Sequence, residues 1–186
     1  MPSKAGATSH KASIVPGYLP APTKSMVAGA KKAAASFLDD SGNLLAPAEI
    51  LKRLKPVDWN PSGPTSSRNI KRFKALKPVY GLMVLLSQSP RTAKYLHALL
   101  CKQQGKSVSA KNVLLRAMLP ASGVREQRRT GLYSEILLTV CGLWRQKVSP
   151  GSVMTYVRKN QLTVEKIFKA ERPVRLAMRG KRNRPK

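Results

Sequence analysis

The residues in this chain best suited to chemistry are its cations. Between Trp59 and Arg125 stand twelve Lys and Arg residues and not one Asp or Glu, over 67 positions. Lysine and arginine bring N–H donors and positive charge, and a folded stretch that omits acids repels itself unless a polyanion lies against it. The chemistry such a pattern performs is neutralisation of phosphates. Residues 68–77 supply Arg68, Lys71, Arg72, Lys74 and Lys77. Arg91, Lys94, Lys102, Lys111 and Arg116 follow on apolar segments that look built to pack. A second cluster holds Arg125, Arg128 and Arg129, and a third runs from Arg172 through Arg175, Arg179, Lys181, Arg182 and Arg184 to Lys186. The whole chain carries 35 basic against 8 acidic residues, a net charge of +27, so the excess is not local. Contacts of this kind are largely sequence-independent and weaken steeply with salt. Engaging six to ten phosphates would forfeit roughly 10³–10⁵ in affinity between 50 and 200 mM salt.

Other chemistries find little support. His10 lies in a polar N-terminal stretch, and His97 sits between Leu96 and Leu99, where a packed or partly exposed histidine is the plain reading. No carboxylates pair at a useful spacing, and neither a Gly-rich phosphate loop, a zinc-protease helix nor a nucleophile elbow occurs. The chain is therefore expected to be no enzyme, with no catalytic residue, no cofactor and no small-molecule substrate. Cys101 and Cys141 fall in apolar helical patterns and read as core thiols, with no Cys/His cluster to hold a metal. Among the aromatics, Tyr80, Tyr95, Tyr133 and Trp144 sit in core-like patterns. Trp59 and Phe73 flank Arg68, Lys71 and Arg72, where they either stack on bases or anchor the segment to the core; anchoring is the favoured reading.

The elements that must position these cations read as helices. Residues 1–24, with Pro2, Pro16, Pro20 and Pro22, form an expected disordered arm. Residues 25–68 read as partly helical: an Ala-rich helix over 26–38, a short helix over 47–54 with proline at its first position, then a Pro/Ser/Gly linker over 55–69. Four of the acids, Asp39, Asp40, Glu49 and Asp58, gather between 37 and 58, a nearly neutral patch that is either solvated or a protein contact. The core domain is expected over 69–172. It holds a basic turn at 70–76, a break at Lys77-Pro78, a helix from Ser89-Pro90 to about Gln103 and another over 109–119. A long central helix over 124–147 carries Leu132, Ile136, Val140, Leu143 and Trp144 along one side. Two further helices follow, one from Ser149-Pro150 and one from Thr163 that stops before Pro173. Residues 173–186 read as a basic tail. The residues around Asn160 fit a DNA-reading helix-turn-helix poorly, because bulky Tyr156 fills the position where its helices would touch.

The expected fold is thus all-α: a compact bundle of about five or six short helices with flexible basic arms at both ends. The longest apolar run, residues 79–86, is far short of the roughly 18 residues a membrane span needs, so no transmembrane segment is expected. Residues 1–11 lack the apolar core of a signal peptide. The layout is similar in architecture to small α-helical viral core proteins. The leading expectation is therefore a nucleocapsid protein that packages RNA and self-associates into a homo-oligomer, in the virion and host cytoplasm. The surface for self-association would be the helix over 132–144 or the neutral patch. A ribosomal or ribonucleoprotein component, or a chromatin-like DNA-binding protein with a nuclear-import signal at its basic end, are the alternatives, located in cytoplasm or nucleus.

Overall fold

The computed structural model describes Pro16, residues 19–55, Trp59, residues 61–104, Leu114 and residues 126–182, with the backbone alone at 104, 126–130 and 179–182. These residues form seven α-helices: α1 (Lys24–Ala33), α2 (Pro47–Arg53), α3 (Thr65–Gln88), α4 (Pro90–Gln104), α5 (Glu126–Arg145), α6 (Val153–Lys159) and α7 (Val164–Arg182). Two 3₁₀ turns, Ala35–Phe37 and Pro150–Ser152, join them, and no strand occurs among the described residues. The all-α expectation holds. The helix expected over 109–119 lies outside the described residues, Leu114 apart; so do residues 1–15 and 183–186.

Two helices make the centre. In α3 every residue from Val79 to Leu86 is buried, and in α5 every residue from Ile136 to Trp144. A helix buried all round must be contacted from several sides. α1 packs on α3, α7 on α5, and α2 on α4, while the Pro150–Ser152 turn is wedged between α1 and α3. One apolar core results, running from Met26, Ile50 and Trp59 through Leu82, Leu96 and Trp144 to Val164 and Ile167. Each large side chain buried there contributes about 1.5–3 kcal/mol. The two centres are tied directly: the Tyr80 and Trp144 rings lie 6.1 Å apart. Tyr80 Oη donates to the Val148 carbonyl at 2.7 Å, and burial, helped by Cys141, pushes its phenol far above the usual range.

Close approach of the outer helices depends on two glycines. A Cβ on Gly81 of α3 would stand 3.0 Å from Ala33 Cβ and 3.1 Å from both the Ala30 carbonyl and Ala34 Cβ, so α1 rests on α3 with little space between the backbones. A Cβ on Gly142 of α5 would stand 2.6 Å from Ile167 Cγ2, which sets α7 equally tight.

Local capping follows the sequence at several ends. Thr23 Oγ1 accepts from the Met26 amide at 3.3 Å and Thr163 Oγ1 from the Lys166 amide at 3.1 Å. Pro47 opens α2, and Glu49 in its first turn pairs with Lys52 and Arg53. The Ser149-Pro150 pair differs from expectation: it opens the 3₁₀ turn and caps nothing through its side chain. The Ser149 hydroxyl is instead pressed against Gly29 of α1.

Four expectations are corrected. The break at Lys77-Pro78 does not occur, and α3 runs unbroken through Pro78. An interior proline costs about 3 kcal/mol, and burial of Phe73 and Leu76 before it and of eight residues after it outweighs that. α7 likewise passes through Pro173 to Arg182, where the basic tail was expected. Its first half is fastened to α5 through Val164, Ile167 and Glu171. Of the N-terminal arm, Pro16 is buried and the Pro20 carbonyl accepts a 2.8 Å bond from Trp144 Nε1. The segment expected as a linker contributes Trp59, 1% exposed, to the core, and its last residues are the first turn of α3.

Candidate nucleic-acid interface

α3 changes character after Lys77. Beyond it the helix is apolar and enclosed from Val79 to Leu86, whereas up to that point it carries Arg68, Lys71 and Lys74 exposed and Lys77 half-buried. Among the described residues, Arg68 reaches only Thr65 Oγ1, and Lys71 only the Ser62 carbonyl, at 3.2 and 3.4 Å. Neither these two nor Lys74 forms an ion pair with a described residue. After the single residue Ser89, α4 continues the pattern. Ala93, Leu96 and Leu100 face the core, while Arg91, Lys94 and Lys102 face outward.

Arg72 stands apart from its neighbours. Its Nε donates to the Trp59 carbonyl at 3.0 Å, its guanidinium lies 5.7 Å from the Trp59 ring centroid, and Nη1 is 3.8 Å from Glu135 Oε1. Trp59 Nε1 is itself 3.5 Å from Glu135 Oε2. Arg72, Trp59 and Glu135 therefore form one half-buried polar junction between α3 and α5. Trp59 and Phe73, each 1% exposed, have no free face for a base, so anchoring is their role here.

The second basic group belongs to the first turns of α5. The α5 backbone at Arg128 and Arg129 begins about 10 Å along the helix axis from Glu135. The third group begins elsewhere. Arg145, about 15 Å farther along α5, is 3.8 Å from Glu171 of α7. From Arg172 to Met178 nothing is buried; Arg172 is exposed and Arg175 half-buried. Arg179, Lys181 and Arg182 continue on the α7 backbone. Lys111, Arg116, Arg125, Arg184 and Lys186 lie outside the described residues.

Acids on the described surface are largely committed within the fold. Asp39 accepts from the Asn43 amide at 2.9 Å, closing the turn bridged by Leu38 and Leu44. Glu49 holds Lys52 and Arg53, and Arg53 also donates to the Ser36 carbonyl. The hydrogen bond and charge of Lys169 lower the Glu165 carboxyl below its usual range. Glu171, 4% exposed, is raised by desolvation against the opposing pull of Arg145, and its Oε1 has no hydrogen-bond partner. The nearly neutral patch is thus occupied with its own turn and helix, while Phe37 and Ile50 enter the core. The apolar face of 132–144, expected as a possible self-association surface, is buried among neighbouring helices and is not available for one.

Sequence reasoning missed Tyr95. Expected in the core, it is 66% exposed. The signal was present: Tyr95 is four residues from Arg91 and seven from Lys102, on the outward face, whereas the inward stripe is 93, 96 and 100. Cys101, half-buried, has its Sγ 3.5 Å from His97 Nε2 one turn away, and Cys141 is buried; the two form no disulfide. Among the described residues no three His, Cys, Asp or Glu side chains gather as a metal site would require. No described helix is long and apolar enough to cross a membrane. α6 packs mainly on α3 and the preceding turn, and α7 on α5, so the two do not form a self-contained recognition unit. Comparison of the chain with models of protein families, with curated proteins and with solved structures finds no match in any of the three.

Proposed function

We propose that this protein binds nucleic acid through its phosphates, largely without regard to sequence, and acts as a binder rather than a catalyst. The observation that carries the reading is the surface of α3 and α4. Arg68, Lys71, Lys74, Arg91, Lys94 and Lys102 are exposed there with no acidic partner among the described residues. A solvated protein surface normally intersperses both signs. Here self-repulsion is tolerated along two consecutive helices, which a polyanion would relieve. RNA is favoured over DNA, and the biological setting that fits best is packaging of an RNA genome in the manner of a nucleocapsid protein. The compact helical core, the basic character of both ends of the chain and the net charge of +27 all suit condensation of a long polyanion. Packaging also requires copies to associate, and that contact has to use a surface other than the buried face of α5.

Titration with RNA tests both parts. Binding should be tight at low salt, similar across unrelated sequences, and accompanied by growth from a small species to large particles in light scattering. A complex of fixed stoichiometry that never grows would overturn packaging while leaving phosphate binding intact. Absence of binding to RNA and DNA alike would overturn the whole reading.

A further inference from the structure

Tyr95 is the one exposed aromatic residue among the described residues; Trp59, Trp144, Tyr80, Phe73, Tyr133 and Phe37 are all buried. It makes no described hydrogen bond or ring contact. Nothing in the helix itself calls for it, since an aromatic residue is a weaker helix former than Ala, Leu or Lys. Its surroundings are specific. Arg91, Tyr95, Ala98 and Lys102 follow one another at intervals of four, three and four residues, which places them along a single face of α4, with Lys94 at its border. All five are exposed. Ala98 leaves the ring open on the side of the next turn, and the cations stand about 6 Å to one side of Tyr95 and about 10 Å to the other along the axis. The opposite face of α4, through Ala93, Leu96 and Leu100, is fixed in the core, so the platform is carried on a rigid support.

We propose that Tyr95 is a stacking platform for an unpaired base, with Arg91, Lys94 and Lys102 holding the phosphates of the same strand, so that this face of α4 takes single-stranded nucleic acid. The inference deepens the phosphate-binding reading and rests on it. An aromatic face flanked by cations is the combination that single-strand binders use, because every base has a π-face and every nucleotide a phosphate. A duplex hides its bases in the stack and offers the ring nothing. Tyr95 therefore gives the protein a preference for unpaired over paired strands, while the cations bind both.

The test compares a short oligouridine strand with a short RNA duplex, using the full chain, Tyr95→Ala and Tyr95→Phe. Stacking on one aromatic side chain is worth about 5- to 150-fold in affinity. Tyr95→Ala should lose that factor for the single strand, keep its duplex affinity, and keep the slope of affinity against salt, since no cation is removed. Tyr95→Phe should bind the single strand as the parent does. The thermal midpoint of both variants should match that of the parent, because the ring is in water. Unchanged single-strand affinity in Tyr95→Ala, or equal loss for strand and duplex, would overturn the proposal. So would a lowered midpoint, or a changed oligomeric state with RNA affinity intact, either of which would make the ring a protein contact. Failure of the parent protein to bind either RNA would instead overturn the phosphate reading beneath it.

Discussion

Lys71 and Arg72 are adjacent and do opposite things. Lys71 is exposed and donates to the Ser62 carbonyl, whereas Arg72 is held by Trp59 and Glu135. Replacing Arg72 with Ala removes a charge-assisted pair, a backbone hydrogen bond and a ring contact at a half-buried site. Urea unfolding should show a loss of about 1–3 kcal/mol. Lys71→Ala and Lys74→Ala should stay within about 0.5 kcal/mol of the parent while weakening RNA binding. A second contrast concerns Glu171. Desolvation raises its carboxyl, so the fold holds that proton better than the unfolded chain does. Its contribution to stability is then present below the unfolded value and lost as pH rises through the folded one. At neutral pH the ionised group is a net cost that Arg145 only partly offsets. Glu171→Gln should therefore raise the melting temperature at neutral pH, and the gain should fade as pH falls toward about 4.3, the ordinary glutamate value. A lowered midpoint at neutral pH would mean that the Arg145 pair dominates instead.

The helices differ in how openly the sequence announces them. α2, α4 and α5 have their signals in local order: proline at or near the start, apolar spacing, and a run in α5 too wide for a surface helix. α3 and α7 do not, because each contains a proline that a local rule treats as a stop, and only packing against partners distant in sequence overrides it. Trp59 and Pro20 are similar cases. Both sit in Pro-rich stretches, one read as a linker and the other as a disordered arm, yet Trp59 is gripped by Arg72 and Glu135 and Pro20 by Trp144, 76 and 124 residues apart in the two indole bonds. The candidate site divides the same way. Lys and Arg positions were legible as a class, but which of them is spent inside the fold depends on where an acid such as Glu135 arrives. The seat of α1 gives an element-scale prediction. Gly81→Val would drive side-chain atoms into Ala30, Ala33 and Ala34. It should cost about 1–3 kcal/mol in chemical unfolding and loosen α1 first, seen as faster amide exchange over residues 24–33 than over α5. Trp144→Ala should cost about 3–5 kcal/mol and weaken the whole bundle, since its ring meets Tyr80 and its indole holds Pro20.

At the scale of the whole molecule the question is where a charge of +27 goes. Glu49, Glu135, Glu165 and Glu171 each hold a cation of the fold itself, and among the described residues the outward cations of α3 and α4 meet no acid. These cations stand on helices anchored in the core rather than on loose segments. Changing Arg125, Arg128 and Arg129 together to Gln should weaken binding to all sequences alike and flatten its salt dependence, with melting temperature unchanged. The most direct test of the central claim is the slope of binding affinity against salt for single-stranded RNA, measured for the parent and for Arg68→Gln/Lys71→Gln/Lys74→Gln. Each phosphate contact contributes about 0.7 to that slope. The parent should show a steep fall in affinity, and the triple variant should be shallower by about 2 while remaining folded. An affinity independent of salt, or a slope that the three substitutions leave unchanged, would contradict the account.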